Sequence, residues 1–172
     1  MTIYFCDIEG NGLLVEKDGN PPISKLHCMS VKALGWEPVT YTDIDTLRGW
    51  LGVLRDNTTL VLHNGFGYDM DALVKLGVIS GYNLTTFTLP DGTIKNVQII
   101  DTLALSREWW PDNPRGHGLE AWAKYLGTHK PEIEDWHNLP IEEYIDRCEN
   151  DVITTEKVFE FLIDKLGVTY AS

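Results

Sequence analysis

The sequence predicts an α/β domain in which a mixed central sheet is flanked by helices. β-prone runs alternate with segments of helical period along the 172 residues, which is typical of α/β proteins. The second and third runs are joined by a short turn, which suggests a meander with the first run, so the sheet should not be purely parallel. We expect one domain over residues 1–172, because a chain of this length can enclose one sizeable core.

The N-terminal half is predicted to form a meander of three strands, a helix, a central strand and a second helix. Asp43 or Asp45 can cap the first helix, and Gly77 can terminate the second. The fourth β-prone run is bounded by turn residues on both sides and should lie in the middle of the sheet. The predicted strands are 2–8, 23–34, 38–41 and 58–63, and the predicted helices are 43–55 and 69–76.

The C-terminal half is predicted to contain a β-hairpin and three helices. Pro90-Asp91-Gly92 supplies the hairpin turn, and Pro140 suits the first position of the longest helix. The predicted elements are a hairpin over 83–100, helices over 101–106, 118–126 and 140–166, a loop over 109–116 and an irregular segment over 128–139. The last helix has an apolar stripe at Ile141, Ile145, Cys148, Val152, Thr155, Phe159, Leu162 and Leu166.

Two carboxylates stand at the end of the first predicted strand. Asp7 and Glu9 are two residues apart, so in a strand they project from the same face. Gly10 and Gly12 follow, and we expect them to let the chain turn and a ligand approach the backbone. Two anions this close repel each other unless a cation lies between them, and their hard oxygen atoms suit Mg²⁺ or Mn²⁺. Taken alone, the pair would be explained equally well by a solvated turn.

Two further acids are candidates for the same place. Asp69 lies in the first turn of a helix that follows a strand, and it shares a sheet edge with Asp7 if the two strands run parallel. Asp151 lies beside the apolar stripe of the last helix, at the boundary of core and surface. Ordinary surface roles exist for both. Four carboxylates in one cleft would bind two divalent ions roughly 4 Å apart, the arrangement used for in-line phosphoryl displacement.

Composition limits the classes of function. The formal net charge of −12 is unfavourable for a protein that binds nucleic acid through Lys and Arg, unless part of the acid is concentrated in a metal site. No apolar run is long enough to span a bilayer, and no secretion signal is visible. Cys6, Cys28 and Cys148 form no paired spacing, which fits a reducing cytosol. We therefore expect a cytoplasmic protein with no membrane partner.

Three motifs, in order, resemble those of a known nuclease family. Asp-Ile-Glu-Gly-Asn at 7–11, Asn-x-x-x-Tyr-Asp at 64–69 and an Asp late in a long helix are similar to the motifs of the DEDD 3′→5′ exonucleases. The nearest similarity is to the proofreading exonuclease domain of phage family A (polymerase I-like) DNA polymerases, and it covers nearly the whole chain. The resemblance implies a ribonuclease H-like (DnaQ-like exonuclease) fold. It also implies stepwise removal of nucleoside monophosphates from a single-stranded 3′ end.

The resemblance assigns roles to individual residues. It implies that two Mg²⁺ or Mn²⁺ ions are held by Asp7, Glu9, Asp69 and Asp151. It assigns substrate binding to Gly10, Asn64, Tyr68 and His117, although a surface or core histidine would explain the last equally well.

Neighbouring residues are given structural or accessory roles. Asp101 is expected to act as a structural cap. The loop with Arg107, Trp109, Trp110 and Arg115 could hold bases, with at least one of its tryptophans in the core.

One position departs from the family pattern. Four residues before the last Asp, the polymerase-type subgroup has a tyrosine that orients the attacking water, and this chain has Arg147. The other subgroup has a histidine five residues before, and here that residue is Asp146. Arginine stays protonated and cannot act as a base, so we expect Arg147 to clamp the scissile phosphate or stabilise developing charge. Tyr144, one turn away, would reach the site only if the helix bends.

The leading hypothesis is a metal-dependent exonuclease that hydrolyses single-stranded DNA from the 3′ end. The chain could be a free-standing protein or a piece cut from a longer one; the start and the tail after Leu166 favour the first, and we expect it to work alone or beside a separately encoded DNA polymerase. One alternative is a 3′→5′ exoribonuclease, since sugar preference depends on how the backbone near Gly10 and Gly12 approaches the 2′ position. The other is a catalytically weakened nucleic-acid-binding or polymerase-docking module.

Overall fold

The computed structural model describes residues 2–132 and 138–168. The strands in these ranges are β1 Thr2–Gly10, β2 Leu26–Ala33, β3 Val39–Tyr41, β4 Thr58–Leu62, β5 Gly81–Tyr82, β6 Thr86–Thr88 and β7 Ile94–Asp101. The helices are α1 Ile44–Val53, α2 Asp69–Lys75, α3 Thr102–Trp109, α4 Leu119–Leu126 and α5 Ile141–Leu166. The predicted irregular segment 128–139 includes Trp136 and His137, which lie outside the described residues.

The strands form one mixed sheet in the order β3-β2-β1-β4-β7-β6-β5. β1 pairs antiparallel with β2 and parallel with β4, and β4 pairs parallel with β7. The mixed sheet and the central position of β4 are therefore confirmed. The hairpin of β6 and β7 is also confirmed, and β5, which the sequence did not predict, adds a two-residue edge strand. Because β1 and β4 are parallel, the segments that follow them meet at one edge of the sheet.

The two faces of the sheet carry different helices. Side chains of β1 alternate between the faces, as the pleat of a strand requires. On one face, Ile3 and Phe5 pack against Val152 and Phe159 of α5. The carboxylates of β1 follow Ile3 and Phe5 in this alternation, so they lie on the face that α5 covers. The opposite face joins β1 to α1 and α2 in an apolar cluster that includes Cys6, Ile8, Leu47, Leu51, Met70 and Leu73.

The loop 11–25, between β1 and β2, begins and ends later in the chain than predicted. β2 begins at Leu26 rather than at residue 23 because the residues before it are tied to the start of the loop. The side-chain oxygen of Asn11 accepts hydrogen bonds from the backbone N–H groups of Ser24 at 3.0 Å and Lys25 at 2.9 Å. These bonds hold the loop beside the end of β1.

The buried side of α5 differs from the predicted stripe at both ends. Ile141 is 38% exposed and Leu166 is 37% exposed, whereas Tyr144 is only 1% exposed. A helix of 26 residues is about 39 Å long, so its ends extend past the strands that it covers. Pro140 is the N-cap residue and not the first residue of the helix. Within the described residues, no helix is both long and apolar enough to cross a membrane.

Candidate active site

Asp7 and Glu9 lie where β1 extends beyond β4. The pairing of β1 with β4 covers only Thr2–Phe5, whereas its pairing with β2 continues to Gly10. The register shifts between Glu9 and Gly10, so the ladder of β1 and β2 is irregular beside the carboxylates. Carboxylate oxygens of Asp7 and Glu9 belong to one cluster, as the spacing of two residues predicts.

Asp69 is brought to the same edge by the loop that follows β4. The loop turns at Asn64, which has a φ of 65° in the left-handed region that asparagine tolerates better than most residues. Asp69 then opens α2, in the first turn as predicted. Its Oδ1 accepts a hydrogen bond from the N–H of Ile8 at 3.2 Å, and the residue is 3% exposed.

Asp101 holds this loop in place from the neighbouring strand. Its carboxylate accepts hydrogen bonds from the N–H groups of Asn64 at 2.9 Å and Phe66 at 3.2 Å. It also caps α3 by accepting from the N–H of Leu103 at 2.9 Å. These contacts agree with the structural role predicted for Asp101.

Asp151, from the middle of α5, completes a cluster of three carboxylates. One oxygen each from Asp7, Glu9 and Asp151 lies within 4.8 Å of the others. Asp69 lines the same cavity, which has a volume of about 190 Å³, but it is not part of the group of three. The structure thus places all four predicted ligands in one cavity and separates one of them from the rest.

Two cations share the cavity with these carboxylates. Lys130 Nζ lies 2.5 Å from Asp151 Oδ2, and Arg147 Nε lies 2.9 Å from Glu9 Oε1 and 3.9 Å from Asp151 Oδ2. The Arg147 guanidinium also donates to the carbonyl oxygen of Pro131 at 2.5 Å. Lys130 was missed by the sequence analysis, because no motif or periodicity marks a single lysine in an irregular segment.

Burial and mutual repulsion change the protonation of the carboxylates. Burial raises the pKa of Asp7 well above its usual range, and the charges of Asp151, Asp69 and Glu9 add to this effect. Burial raises the pKa of Glu9 to about 7 against the opposing effect of Arg147. Burial likewise raises the pKa of Asp69 to about 8, although the hydrogen bond from Ile8 opposes it. Without a bound cation, this cavity therefore retains protons near neutral pH.

The carboxylate cluster fits a divalent cation. Among the described residues, Asp7 Oδ2 and Asp151 Oδ1 are buried oxygens that have no hydrogen-bond partner. Buried carboxylate oxygens without partners are costly, and hard oxygen ligands are those that Mg²⁺ and Mn²⁺ prefer. Asp7, Glu9 and Asp151 would hold one ion, and Asp69 lies close enough to influence the charge on Asp7.

His63 is a further polar residue of the cavity that the sequence analysis did not assign. Its Nδ1 lies 2.8 Å from Thr102 Oγ1, which fixes the ring at the end of β4. Burial lowers its pKa to about 4, so the imidazole is neutral at physiological pH. A polar residue at the end of a central strand was the signal that could have pointed to it.

A second pocket, with a volume of about 390 Å³, opens beside the carboxylate cavity. The two share Glu9, Asn64 and Tyr68, and Gly10 and Gly12 complete much of the pocket wall. Three of the four predicted substrate-binding residues therefore line one pocket. The Tyr68 hydroxyl donates to the carbonyl oxygen of Gly12 at 2.7 Å, which fixes the ring at the pocket wall.

The two glycines have a packing role that the sequence analysis did not predict. A Cβ atom at Gly10 would lie 2.4 Å from Ile23 Cδ1, and one at Gly12 would lie 2.9 Å from the carbonyl oxygen of Pro21. The glycines therefore admit the loop that returns to β2. A ligand could approach the backbone at Gly10 and Gly12 because both glycines also line the 390 Å³ pocket.

Tyr144 and His117 lie outside the carboxylate cavity. The Tyr144 ring stacks on His27 at a centroid distance of 3.9 Å, and the N–H of Leu139 donates to its hydroxyl at 3.3 Å. Tyr144 therefore does not take the place of the missing tyrosine. His117 Nδ1 lies 2.7 Å from the hydroxyl of Ser106, so the ring is tethered to α3. Its substrate-binding role stays a prediction.

Trp109 and Trp110 are both half-buried, and Trp109 is the last residue of α3 and not part of the predicted loop 109–116. Trp109 packs edge-to-face on Phe161 of α5 at 5.2 Å, as expected for one of the two tryptophans. Trp110 contacts Trp109 at 5.6 Å and lies 5.9 Å from the guanidinium carbon of Arg115. The same guanidinium lies 4.9 Å above the ring of Tyr125 in α4. Arg115 is therefore held at the surface between two aromatic rings.

Comparison with known proteins gives structural matches. No protein-family model and no curated protein matches the sequence. The family B DNA polymerase from the hyperthermophilic archaeon Pyrobaculum calidifontis matches with a TM-score of 0.58 and 13% identity over 95% of this chain. Phi29 DNA polymerase complexed with primer-template DNA matches with a TM-score of 0.59 and 16% identity over 98% of this chain. Exonuclease X in complex with 5′ overhanging duplex DNA matches with a TM-score of 0.54 and 12% identity over 97% of this chain.

The three known proteins differ in how much of their own length this chain covers. This chain spans 24% of the archaeal polymerase and 32% of the Phi29 polymerase, but 94% of Exonuclease X. At such low identity the similarity establishes the fold. The fold is ribonuclease H-like, and the predicted class is confirmed. The predicted closeness to phage family A polymerases stays a prediction.

Proposed function

We propose that this chain is a metal-dependent 3′→5′ exonuclease that removes nucleoside monophosphates from single-stranded DNA. The observation that carries the proposal is the cluster of Asp7, Glu9 and Asp151, in which two buried oxygens have no hydrogen-bond partner within residues 2–132 and 138–168. A cation site of this kind, next to a pocket of about 390 Å³, suits a phosphodiester with one nucleoside beyond it. The similarity to Exonuclease X and to parts of two DNA polymerases is consistent with this proposal.

In this proposal, the four carboxylates hold two Mg²⁺ or Mn²⁺ ions. Such a pair supplies Lewis acidity, which activates a water molecule and stabilises the leaving oxygen of an in-line displacement. Asp7, Glu9 and Asp151 would hold one ion, and Asp7 with Asp69 would hold the second. Each carboxylate must be ionised to act as a ligand.

The cations of the cavity position groups and do not transfer protons. Arg147 orients the Glu9 carboxylate through the 2.9 Å contact, and its guanidinium adds positive charge beside the scissile phosphate. Lys130 faces Asp151 and adds a second positive charge on the same side. Both charges stabilise the phosphorane-like charge that develops during displacement.

The adjoining pocket would receive the 3′-terminal nucleoside. Tyr68 presents a ring fixed by its bond to Gly12, against which a base can stack. Asn64 lies between the pocket and the carboxylates and offers an amide to the sugar or phosphate. Discrimination between deoxyribose and ribose would arise at this wall, where the backbone at Gly10 and Gly12 lies closest.

A second candidate is a nucleic-acid-binding or polymerase-docking module with little activity. It is favoured by the ion pairs of Lys130 and Arg147, which partly compensate the carboxylates without any metal. We favour the enzyme, because the two pairs leave Asp7 Oδ2 and Asp151 Oδ1 without partners among the described residues.

The test is cleavage of a 5′-labelled single-stranded DNA oligonucleotide and its RNA equivalent with Mg²⁺, Mn²⁺ or chelator. A metal-dependent ladder that shortens from the 3′ end is expected, with DNA degraded faster. Faster cleavage of RNA would change the substrate to RNA. Tight binding of either strand without cleavage would favour the second candidate, and the Arg147→Tyr variant would then show whether the family tyrosine restores turnover.

A further inference from the structure

A groove leads from the carboxylate cavity along the exposed side of α4. A cavity of about 180 Å³ beside α4 shares Lys130 and Arg147 with the carboxylate cavity. A neighbouring cavity of about 570 Å³ shares Glu120 and Lys124 with the 180 Å³ cavity and is also lined by Arg115. We call these two cavities together the α4 groove. The carboxylate cavity thus has two exits, one into the 390 Å³ pocket and one into the α4 groove.

The α4 groove is positively charged in a strongly acidic protein. Its described lining contains four cationic side chains, Arg147, Lys130, Lys124 and Arg115, and two carboxylates. The chain as a whole has a net charge of −12, with 14 Lys and Arg residues, so this is an unusual local excess. The groove cations also act on one of the two carboxylates, because Lys124, Lys130 and Arg147 all lower the pKa of Glu120. Such a stripe attracts a polyanion.

Flat side chains stand at the far end of the α4 groove. Arg115 is stacked over Tyr125 at 4.9 Å and near Trp110 at 5.9 Å. Tyr125 is 42% exposed, so part of its ring is open to solvent. Proteins that bind single strands combine a cationic groove for the backbone with aromatic or guanidinium faces for the bases. The chemistry of the groove therefore matches a single-stranded nucleic acid better than a folded protein.

We propose that the α4 groove binds the single strand on the 5′ side of the scissile phosphate, an inference that rests on the proposed function. The 390 Å³ pocket has room for one terminal nucleoside, whereas the two cavities of the groove have volumes of about 180 and 570 Å³ and together have four cationic side chains in their lining. With the scissile phosphate at the carboxylates, the remaining strand leaves past Lys130 and Arg147 toward Lys124 and Arg115. In the structure, Lys124 Nζ lies 2.5 Å from Glu120 Oε1 on the exposed surface of α4.

The test compares two double variants that remove equal charge. Arg115→Ala/Lys124→Ala removes two groove cations, and Arg55→Ala/Lys157→Ala removes two exposed cations that do not line the groove. The probe is a 5′-fluorescein oligothymidylate of twelve nucleotides with a 3′-terminal phosphorothioate linkage, titrated in Mg²⁺ at several salt concentrations. Thermal melting checks that both variants are folded, which is expected because the four positions are exposed.

The groove variant is expected to bind roughly 10- to 30-fold more weakly at 0.1 M salt, with a salt slope smaller by about 1.4, from two lost phosphate contacts. The control variant keeps the wild-type affinity and slope. Glu120→Gln, which removes a groove carboxylate, is expected to strengthen binding. Equal behaviour of the two double variants overturns the proposal, whether both bind like the wild type or both lose affinity.

Hydrolysis of an unmodified oligonucleotide by the wild-type protein separates this inference from the proposed function. If the wild type degrades that strand while the two double variants bind alike, only the groove is refuted. If the wild type neither binds nor degrades it, the proposed function has failed and the groove with it.

Discussion

The contact between β1 and α5 has two halves of opposite chemistry. In the core half, Ile3 and Phe5 pack against Val152 and Phe159. In the site half, Asp7 and Glu9 of the same strand face Arg147 and Asp151 of the same helix, and Lys130 from outside both elements pairs with Asp151. One pair of elements therefore supplies apolar packing at one end and a charged cavity at the other. The core half fixes the geometry that the charged half requires.

The largest expected effect separates activity from stability in the site half. Asp7→Ala removes a carboxylate of the cluster, and we expect cleavage of single-stranded DNA to fall by more than about 10³-fold, from the loss of several kcal/mol of metal-mediated stabilisation. In chelator the variant should melt no lower than the wild type, because the burial and repulsion that raise the pKa of Asp7 are relieved. The control is Glu160→Ala, which removes an exposed acid of α5 and should leave both readouts unchanged. Retention of metal-dependent activity in Asp7→Ala would contradict the site.

A substitution in the core half should lower stability, whereas Asp7→Ala in the site half should lower activity. Phe5 is fully buried and contacts Phe159 edge-to-face at 5.6 Å. Phe5→Ala is expected to lower the free energy of unfolding by about 3–5 kcal/mol, because it leaves a cavity between sheet and helix. Urea unfolding measures this loss, and Leu166→Ala, at an exposed position of α5, should cost less than about 1 kcal/mol by comparison. A small loss in Phe5→Ala would mean that α5 is not anchored by this contact.

Lys130 tests how the site half is held without metal. Its side chain is 17% exposed and pairs with an Asp151 side chain that is 6% exposed. Lys130→Met keeps the length of the side chain but leaves Asp151 without that charge partner, which should destabilise the metal-free protein by about 1–3 kcal/mol. Mg²⁺ should then raise the melting temperature more in the variant than in the wild type. Lys157→Met is the control, and an equal response of all three proteins would show that Lys130 does not compensate the cluster.

The smallest expected effect is a pH dependence of the site half alone. The pKa values of Asp7, Glu9 and Asp69 are raised in the folded protein, to about 7 for Glu9 and about 8 for Asp69. Groups with raised pKa values bind more protons when folded, so in chelator the melting temperature should fall as pH rises from about 5 to 8. Saturating Mg²⁺ should reduce or reverse this fall, because the metal binds the ionised carboxylates. In Asp7→Ala the slope in chelator should be shallower; an unchanged slope would place the titrating groups elsewhere.

Most elements of the fold could be predicted because their signals are local. The caps at Asp43 and Asp101, the hairpin turn and the period of α5 are each set by residues close in sequence. The errors occur where a distant contact decides the outcome. β2 begins late because the N–H groups of Ser24 and Lys25 donate to the side chain of Asn11, and α5 buries Tyr144 because the ring meets His27 across the layers.

In the candidate site, too, some features follow from residues close in sequence and others only from distant contacts. The spacing of Asp7 and Glu9 in the sequence determined that both project from one face of a strand, and residue type determined that they suit a hard cation. Tertiary structure alone decided that Lys130 and Arg147 pair with these acids, that Asp69 stands apart from the cluster of three, and that a cationic groove leaves the cavity along α4. Spacing within a strand or helix is fixed by backbone geometry over a few residues. Contacts between segments more than a hundred residues apart, such as that of Glu9 with Arg147, exist only once the sheet and the helices have packed.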